Sequence, residues 1–154
     1  MSPDSDSPAS LPLEATNREF NHGFPALLGF EFLEWREGRA VLGMQVTDRH
    51  LNLAGLIHGG VLATLLDVAG ACAGTFFPYP DRVRKAITLS MTTTFTGQIG
   101  QGYIRAIGTK RAGGSRIFNS TVDVYGADDT LLMLGEGTFR LRSGSEDSRG
   151  VPVA

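Results

Sequence analysis

The chain has 154 residues, 42% of them hydrophobic and 19% charged, with a formal net charge of -2. That length and balance suit one soluble domain around one core, and they provide no basic footprint for nucleic acid. No apolar run reaches the roughly 18 residues of a bilayer-spanning helix, so neither nucleic acid nor membrane is expected as a partner.

The first residues, MSPDSDSPASLP, are rich in Ser, Pro and Asp and lack the basic start and apolar run of a secretory signal. Residues 1–16 and 143–154 are expected to be disordered tails flanking a single domain over 17–142. Asn17 to Pro25 predicts a short helix or turn anchored by Phe20 and Phe24 and ended by Pro25. Leu28 to Trp35 and Arg39 to Val46 read as two strands turning at Glu37-Gly38, the second alternating so that one face is apolar.

Leu51 to Gly74 concentrates the unusual chemistry. Asn52 to Gly60 has no apolar period, whereas Val61, Leu62, Leu65, Leu66, Val68, Ala69 and Cys72 recur at helical spacings. A loop therefore feeds a buried helix whose first turn holds Gly59 and Gly60. Helix starts leave backbone N–H groups unpartnered and carry partial positive charge, so glycine there lets an oxyanion approach. Asp67 is the one charged residue of that helix, and an acid among leucines must be hydrogen-bonded, face a cleft, or act chemically. Taken singly, the glycines could be turn formers and the acid a structural one. Cys72 has no partner for an internal disulfide, which suits a reducing cytoplasm, and its apolar neighbours make it a core residue.

Phe77 to Asp81 holds two prolines and predicts a loop. Arg84 to Thr96, Tyr103 to Lys110, Arg116 to Tyr125 and Leu131 to Leu141 follow as strands joined by glycine-rich hairpin connections. Two strands, one long helix and four further strands make an α+β plan, an antiparallel sheet packed on one helix. Because the helix is apolar nearly all round, the sheet must curl about it, as in the hotdog fold.

Asn52 six residues before His58-Gly59-Gly60, then Asp67, then a strand with Thr88, resembles the PaaI-like (phenylacetate-degradation type) acyl-CoA thioesterases of the hotdog-fold superfamily. The resemblance spans roughly residues 20–142. It implies a thioester hydrolase in which the Gly59 N–H, helped by Asn52, polarises the carbonyl, while Asp67 of the other copy either activates, as general base, a water oriented by Thr88 or attacks the carbonyl directly as nucleophile. Thr88 departs from relatives that carry serine there. His58 either touches the thioester sulfur or braces the Asn52 loop, the second being the reading adopted.

Asp67 lies eight residues after Gly59, roughly 12 Å along the helix at about 1.5 Å per residue, too far for one carbonyl to touch both. The site is therefore expected to join two copies of the chain in a homodimer, with pairing into a homotetramer implied by the resemblance. Gly60, Lys110, Arg111, Arg116 and Arg84 are candidate substrate contacts, the cations for coenzyme A phosphates; Arg82 and Lys85 stand beside Arg84. Phe76, Phe77 and Tyr79 are candidates for the acyl wall. No residue cluster has metal-ligand spacing, and no cofactor beyond substrate coenzyme A is expected. Two alternatives remain: a hotdog-fold enoyl-thioester hydratase or dehydratase, whose histidine motif Asp48-Arg-His50 reproduces poorly, and a non-catalytic acyl-CoA sensor, which would not need Asp67.

Overall fold

The structure is a computed structural model that describes residues 12–153 except Pro78 and Pro80. Two short helices, α1 (Leu13–Phe20) and α2 (Gly23–Leu28), lead into strands β1 (Glu31–Arg36) and β2 (Arg39–Val46). Helix α3 (Gly59–Ala73) follows, then β3 (Arg82–Val83), β4 (Ala86–Phe95), β5 (Gly102–Gly113), β6 (Ile117–Gly126), β7 (Leu131–Leu141) and β8 (Val151–Pro152). Six strands form one antiparallel sheet in the order β1-β2-β5-β6-β7-β4, and β3 pairs with β8 apart from it. This is the hotdog fold, a sheet wrapped about one long helix. Among the described residues no helix is long and apolar enough to cross a membrane.

The core forms where Leu62, Leu65, Leu66 and Ala69 of α3 meet Leu42, Met44, Ile104, Val122 and Met133 of the sheet. Helix and sheet approach closely because Gly70 and Gly74, one turn apart, face the stacked rings of Phe139 and Phe118; a Cβ at either glycine would collide with the ring opposite. Those rings hold the helix at its height over the sheet.

Four expectations change. Pro25 does not end a helix but sits in the first turn of α2, where its missing N–H has no intrahelical partner to lose. Phe20 packs 4.7 Å from Phe32, whereas Phe24 is 58% exposed and anchors nothing. The connection after β4 is not a hairpin: β4 pairs with β7 at the sheet edge, and only β5-β6 and β6-β7 are consecutive hairpins in the second half. Glycine content alone cannot separate a tight turn from a crossover.

The fourth change is the C-terminus. Residues 143–153, expected as a tail, fold back and are tied down. Val151 pairs with Val83, and Ser145 is buried, its hydroxyl accepting from Lys85 N–H at 2.9 Å and its own N–H donating to Arg142 O at 2.8 Å. Arg84 donates to Ser145 O at 3.0 Å and Phe76 O at 3.3 Å, and Arg82 donates to Arg149 O at 2.7 Å and to Gly150 O. Residues 1–11 of the expected N-terminal tail lie outside the described residues, and regular structure begins with α1 at Leu13.

Arg84→Met removes both charge-assisted hydrogen bonds and leaves part-buried carbonyls unpaired, so it should destabilise the fold by about 2–3 kcal/mol. Arg111→Met, on an exposed strand end, should cost no more than about 0.5 kcal/mol. Thermal unfolding of the two variants beside the parent chain checks the difference.

Candidate active site

Helix α3 begins at Gly59, as its glycine pair predicts. His58 is the N-cap, and its Nδ1 accepts from Gly60 N–H at 2.8 Å, which leaves the ring proton on Nε2. His58 thus braces the start of its own helix, while its backbone N–H donates to His50 O at 2.8 Å. The same contact takes Gly60 N–H out of reach of a ligand. Gly59 N–H, by contrast, has no hydrogen-bond partner among the described residues. The ring of Phe95 lies against this glycine, 3.3 Å from where a Cβ would sit.

Asn52 works first on its own loop: Oδ1 accepts from Ala54 N–H at 2.9 Å and Leu56 N–H at 3.2 Å, in the manner of an Asx turn. Its Nδ2 makes no protein hydrogen bond among the described residues. Asn52 and His58 line one open, mostly apolar cleft with Leu51, Leu53 and Ala54. The helix start and the asparagine loop therefore share a face of the protein.

Asp67 leaves α3 toward the sheet edge and accepts a hydrogen bond of 2.5 Å from Thr88 Oγ1 on β4. The acid is half-buried and Thr88 exposed, so the pair opens to solvent at the margin of the core. A hydroxyl that donates to the carboxylate presents its oxygen lone pairs outward, where a water can donate to it and stay beside the acid. The strand bulges at Leu89, between the register pairs Thr88↔Phe139 and Ser90↔Thr138, immediately after this residue.

His50 is occupied at both ring nitrogens. Nδ1 accepts from Thr47 N–H at 2.9 Å and Nε2 meets Leu28 O at 2.7 Å, so the buried ring is a neutral brace between the loop and α2. The candidate phosphate contacts do not converge either. Lys110 Nζ stands 5.6 Å from the centroid of the Phe118 ring, Arg111 donates to Thr121 Oγ1 at 2.7 Å, and Arg84 is spent on carbonyls, with burial lowering its pKa. Arg116 instead shares a cleft of about 720 Å³ with Lys85, Arg140 and Arg142. Sequence spacing hides this group, because it is assembled from the ends of β4, β6 and β7.

Cys72, Trp35 and Phe77 line an open cleft of about 460 Å³ at the far end of α3, together with Arg84, Lys85 and Arg142. Phe76 and Phe77 pack edge-on against Trp35, at 5.7 and 5.0 Å, so they belong to the core there and are not a wall beside Asp67. Burial pushes the Cys72 thiol up to about 12, with the Asp67 charge adding to the shift.

The fold has counterparts among known proteins. A protein of Archaeoglobus fulgidus provisionally assigned as an esterase is 27% identical over 113 residues, covering 73% of this chain and 70% of its own. An asparagine-to-aspartate variant of the phenylacetic acid degradation protein PaaI from Thermus thermophilus superposes with a TM-score of 0.66 at 29% identity, covering 76% of this chain and 96% of that one. The zebrafish thioesterase superfamily member 2 gives a TM-score of 0.72 at 25% identity over 86% of this chain and all of that one. No protein-family profile matches the chain. Fold and relatives together define the class: the chain has the hotdog fold and is similar to members of the thioesterase superfamily.

With its thiol protonated across the physiological range, Cys72 should resist iodoacetamide at about pH 8 and react only after unfolding. Mass spectrometry of labelled folded and denatured chains checks this; rapid labelling of the folded chain would overturn the assignment of Cys72 to the core.

Proposed function

We propose that the protein is an acyl-CoA thioesterase that hydrolyses its substrate with Asp67 as general base or nucleophile and Gly59 N–H as oxyanion donor. The observation that carries this reading is the Thr88–Asp67 hydrogen bond at the solvent margin of an otherwise apolar helix. Attack on a thioester carbonyl builds charge on its oxygen, and a fixed helix-start N–H with no protein partner stabilises that charge more than it stabilises the substrate. Asp67 supplies the complementary part by taking a proton from water or attacking directly. The chemistry calls for no metal or cofactor beyond the coenzyme A of the substrate.

Gly59 and Asp67 stand roughly 12 Å apart on one helix by the rise per residue, so the working site draws each from a different copy of the chain. The edge position of β4 supports that assembly. Its outer side has no strand neighbour among the described residues, and Leu89, Met91 and Phe95 on it are 49%, 42% and 52% exposed. An apolar unpaired edge is a template for a second strand, and a two-fold axis beside it would pair β4 with itself. Pairing of such dimers into a tetramer, and a cytoplasmic setting suited to a free thiol, complete the proposal. A hydratase reading is disfavoured because both ring nitrogens of His50 are engaged.

Asp67→Asn keeps size and hydrogen-bonding capacity but removes the charge, so kcat on acyl-CoA should fall by about 10²-fold or more with little change in unfolding midpoint. A structural acid predicts the reverse, a less stable chain with normal turnover. Gly59→Val should likewise lose turnover, its side chain meeting the Phe95 ring and covering the N–H. Mixing the two inactive chains tests the shared site, since each mixed dimer regains one intact Gly59 and Asp67 pair. Activity should return; its absence after confirmed subunit exchange would sink the shared site.

A further inference from the structure

Four cations converge where no motif announces them. Lys85 ends the approach to β4, Arg116 precedes β6, Arg140 is on β7 and Arg142 follows it, and all four line one cleft together with Ile87, Ser143, Ser145 and Glu146. Their backbones are joined directly: Arg142 N–H donates to Lys85 O at 2.9 Å, Leu141 N–H donates to Arg116 O at 2.8 Å, and Arg140 is the register partner of both Ile87 and Ile117. Ser145 locks the floor through its bond to Lys85 N–H. The cleft is therefore preorganised, so a ligand need order only the side chains.

Its charge is poorly balanced from within. Glu146 is the one acid among the lining residues; its Oε2 is held by Gly144 N–H at 2.7 Å, and Oε1 stands 4.0 Å from Arg116 Nε. Four cations against one tethered carboxylate suit a ligand with several negative charges packed closely, which is the chemistry of phosphate groups. Lys85 is three residues before Thr88, roughly 10 Å along a strand at about 3.3 Å per residue. Thr88 shares the helix-facing side with buried Phe139, whereas Ile87 and Arg140 alternate to the opposite side, so the pantetheine arm of coenzyme A would pass round the start of β4 to reach Asp67.

We propose that this cleft seats the phosphates of the substrate's nucleotide, so that Lys85, Arg116, Arg140 and Arg142 recognise the carrier while the acyl end lies at Asp67. The proposal rests on the thioesterase reading and makes the folded C-terminal segment part of the substrate site. Glu146 opposes the ligand from inside the cleft.

The test compares one acyl group on two carriers, coenzyme A and pantetheine, which lacks the nucleotide phosphates. Arg140→Gln and Arg142→Gln should each raise KM for the coenzyme A thioester by about tenfold, the weight of a charge-assisted contact. They should leave kcat, and both constants for the pantetheine thioester, within about twofold. Glu146→Gln should lower KM for the coenzyme A thioester alone. Equal effects on both carriers, or none on either, would overturn the phosphate assignment while leaving the thioesterase reading intact. If neither thioester is hydrolysed, that reading fails, and calorimetry with coenzyme A decides the cleft separately: binding lost in the Arg140→Gln, Arg142→Gln double variant upholds it, and no binding to the parent chain overturns it.

Discussion

The structure depends on how closely the sheet wraps α3. Leu62, Leu65, Leu66 and Ala69 are at most 2% exposed, and the ring pair Phe118 and Phe139 meets the helix where Gly70 and Gly74 admit it. A helix packed that closely on one side offers a charged side chain an exit along its half-buried stripe of Thr64, Asp67, Val68 and Ala71, beside β4. Asp67 takes it and meets Thr88 on β4. A carboxylate in an apolar helix is costly unless bonded and solvated, and the sheet edge meets both conditions in one place. The position of the acid is thus a consequence of packing before it is a feature of chemistry.

The same wrapping sets the helix start. His58 caps Gly60 with its ring and is itself held by His50 O, while His50 spans Thr47 and Leu28. Two histidines that a sequence reader would test as catalysts are both engaged in holding backbone. Their combined effect is to fix the direction of the first turn and leave the Gly59 N–H a donor without a partner among the described residues. Preorganisation of that kind gives an oxyanion site its value, because no reorientation is needed when charge develops.

Local signals were legible in the sequence, and the signals that failed were those that depend on distant pairing. The Gly59 start of α3, the Glu37-Gly38 turn and the bounds of β7 are written in nearby residues: glycine position, apolar period and β-branched runs. The pairing of β4 with β7 is not, since Gly97 to Gly102 has the composition of a hairpin yet carries a crossover. The C-terminal segment misled for a related reason. Its Ser, Gly and Asp content matches a solvated tail, but Ser145 is buried and satisfied by Lys85 and Arg84, partners about sixty residues earlier. The basic cleft was hidden in the same way, because cations from three strand ends become neighbours only once the strand order is known. Of the candidate site, Asp67, Thr88, Gly59 and Asn52 were legible because they lie in one local pattern, a glycine helix start, an acid in an apolar helix and a threonine strand, whereas Arg84 was misread because charge type alone cannot say whether a guanidinium faces solvent or a carbonyl.

Strand β4 ties these features together. Its inner side provides Thr88 to the acid, its start borders the basic cleft through Lys85 and Ile87, its end lays Phe95 over Gly59, and its outer edge is unpaired among the described residues. Proteins usually blunt such an edge with charge or proline, yet residues 86–95 contain neither. An edge left open and apolar calls for cover, and a second copy brings both a strand to pair with and a second helix start. In the proposed dimer, the cost of leaving the edge unprotected and the separation of Gly59 from Asp67 along one helix would have a common solution, since an association that covers Leu89 and Met91 would also bring a second helix start to the acid.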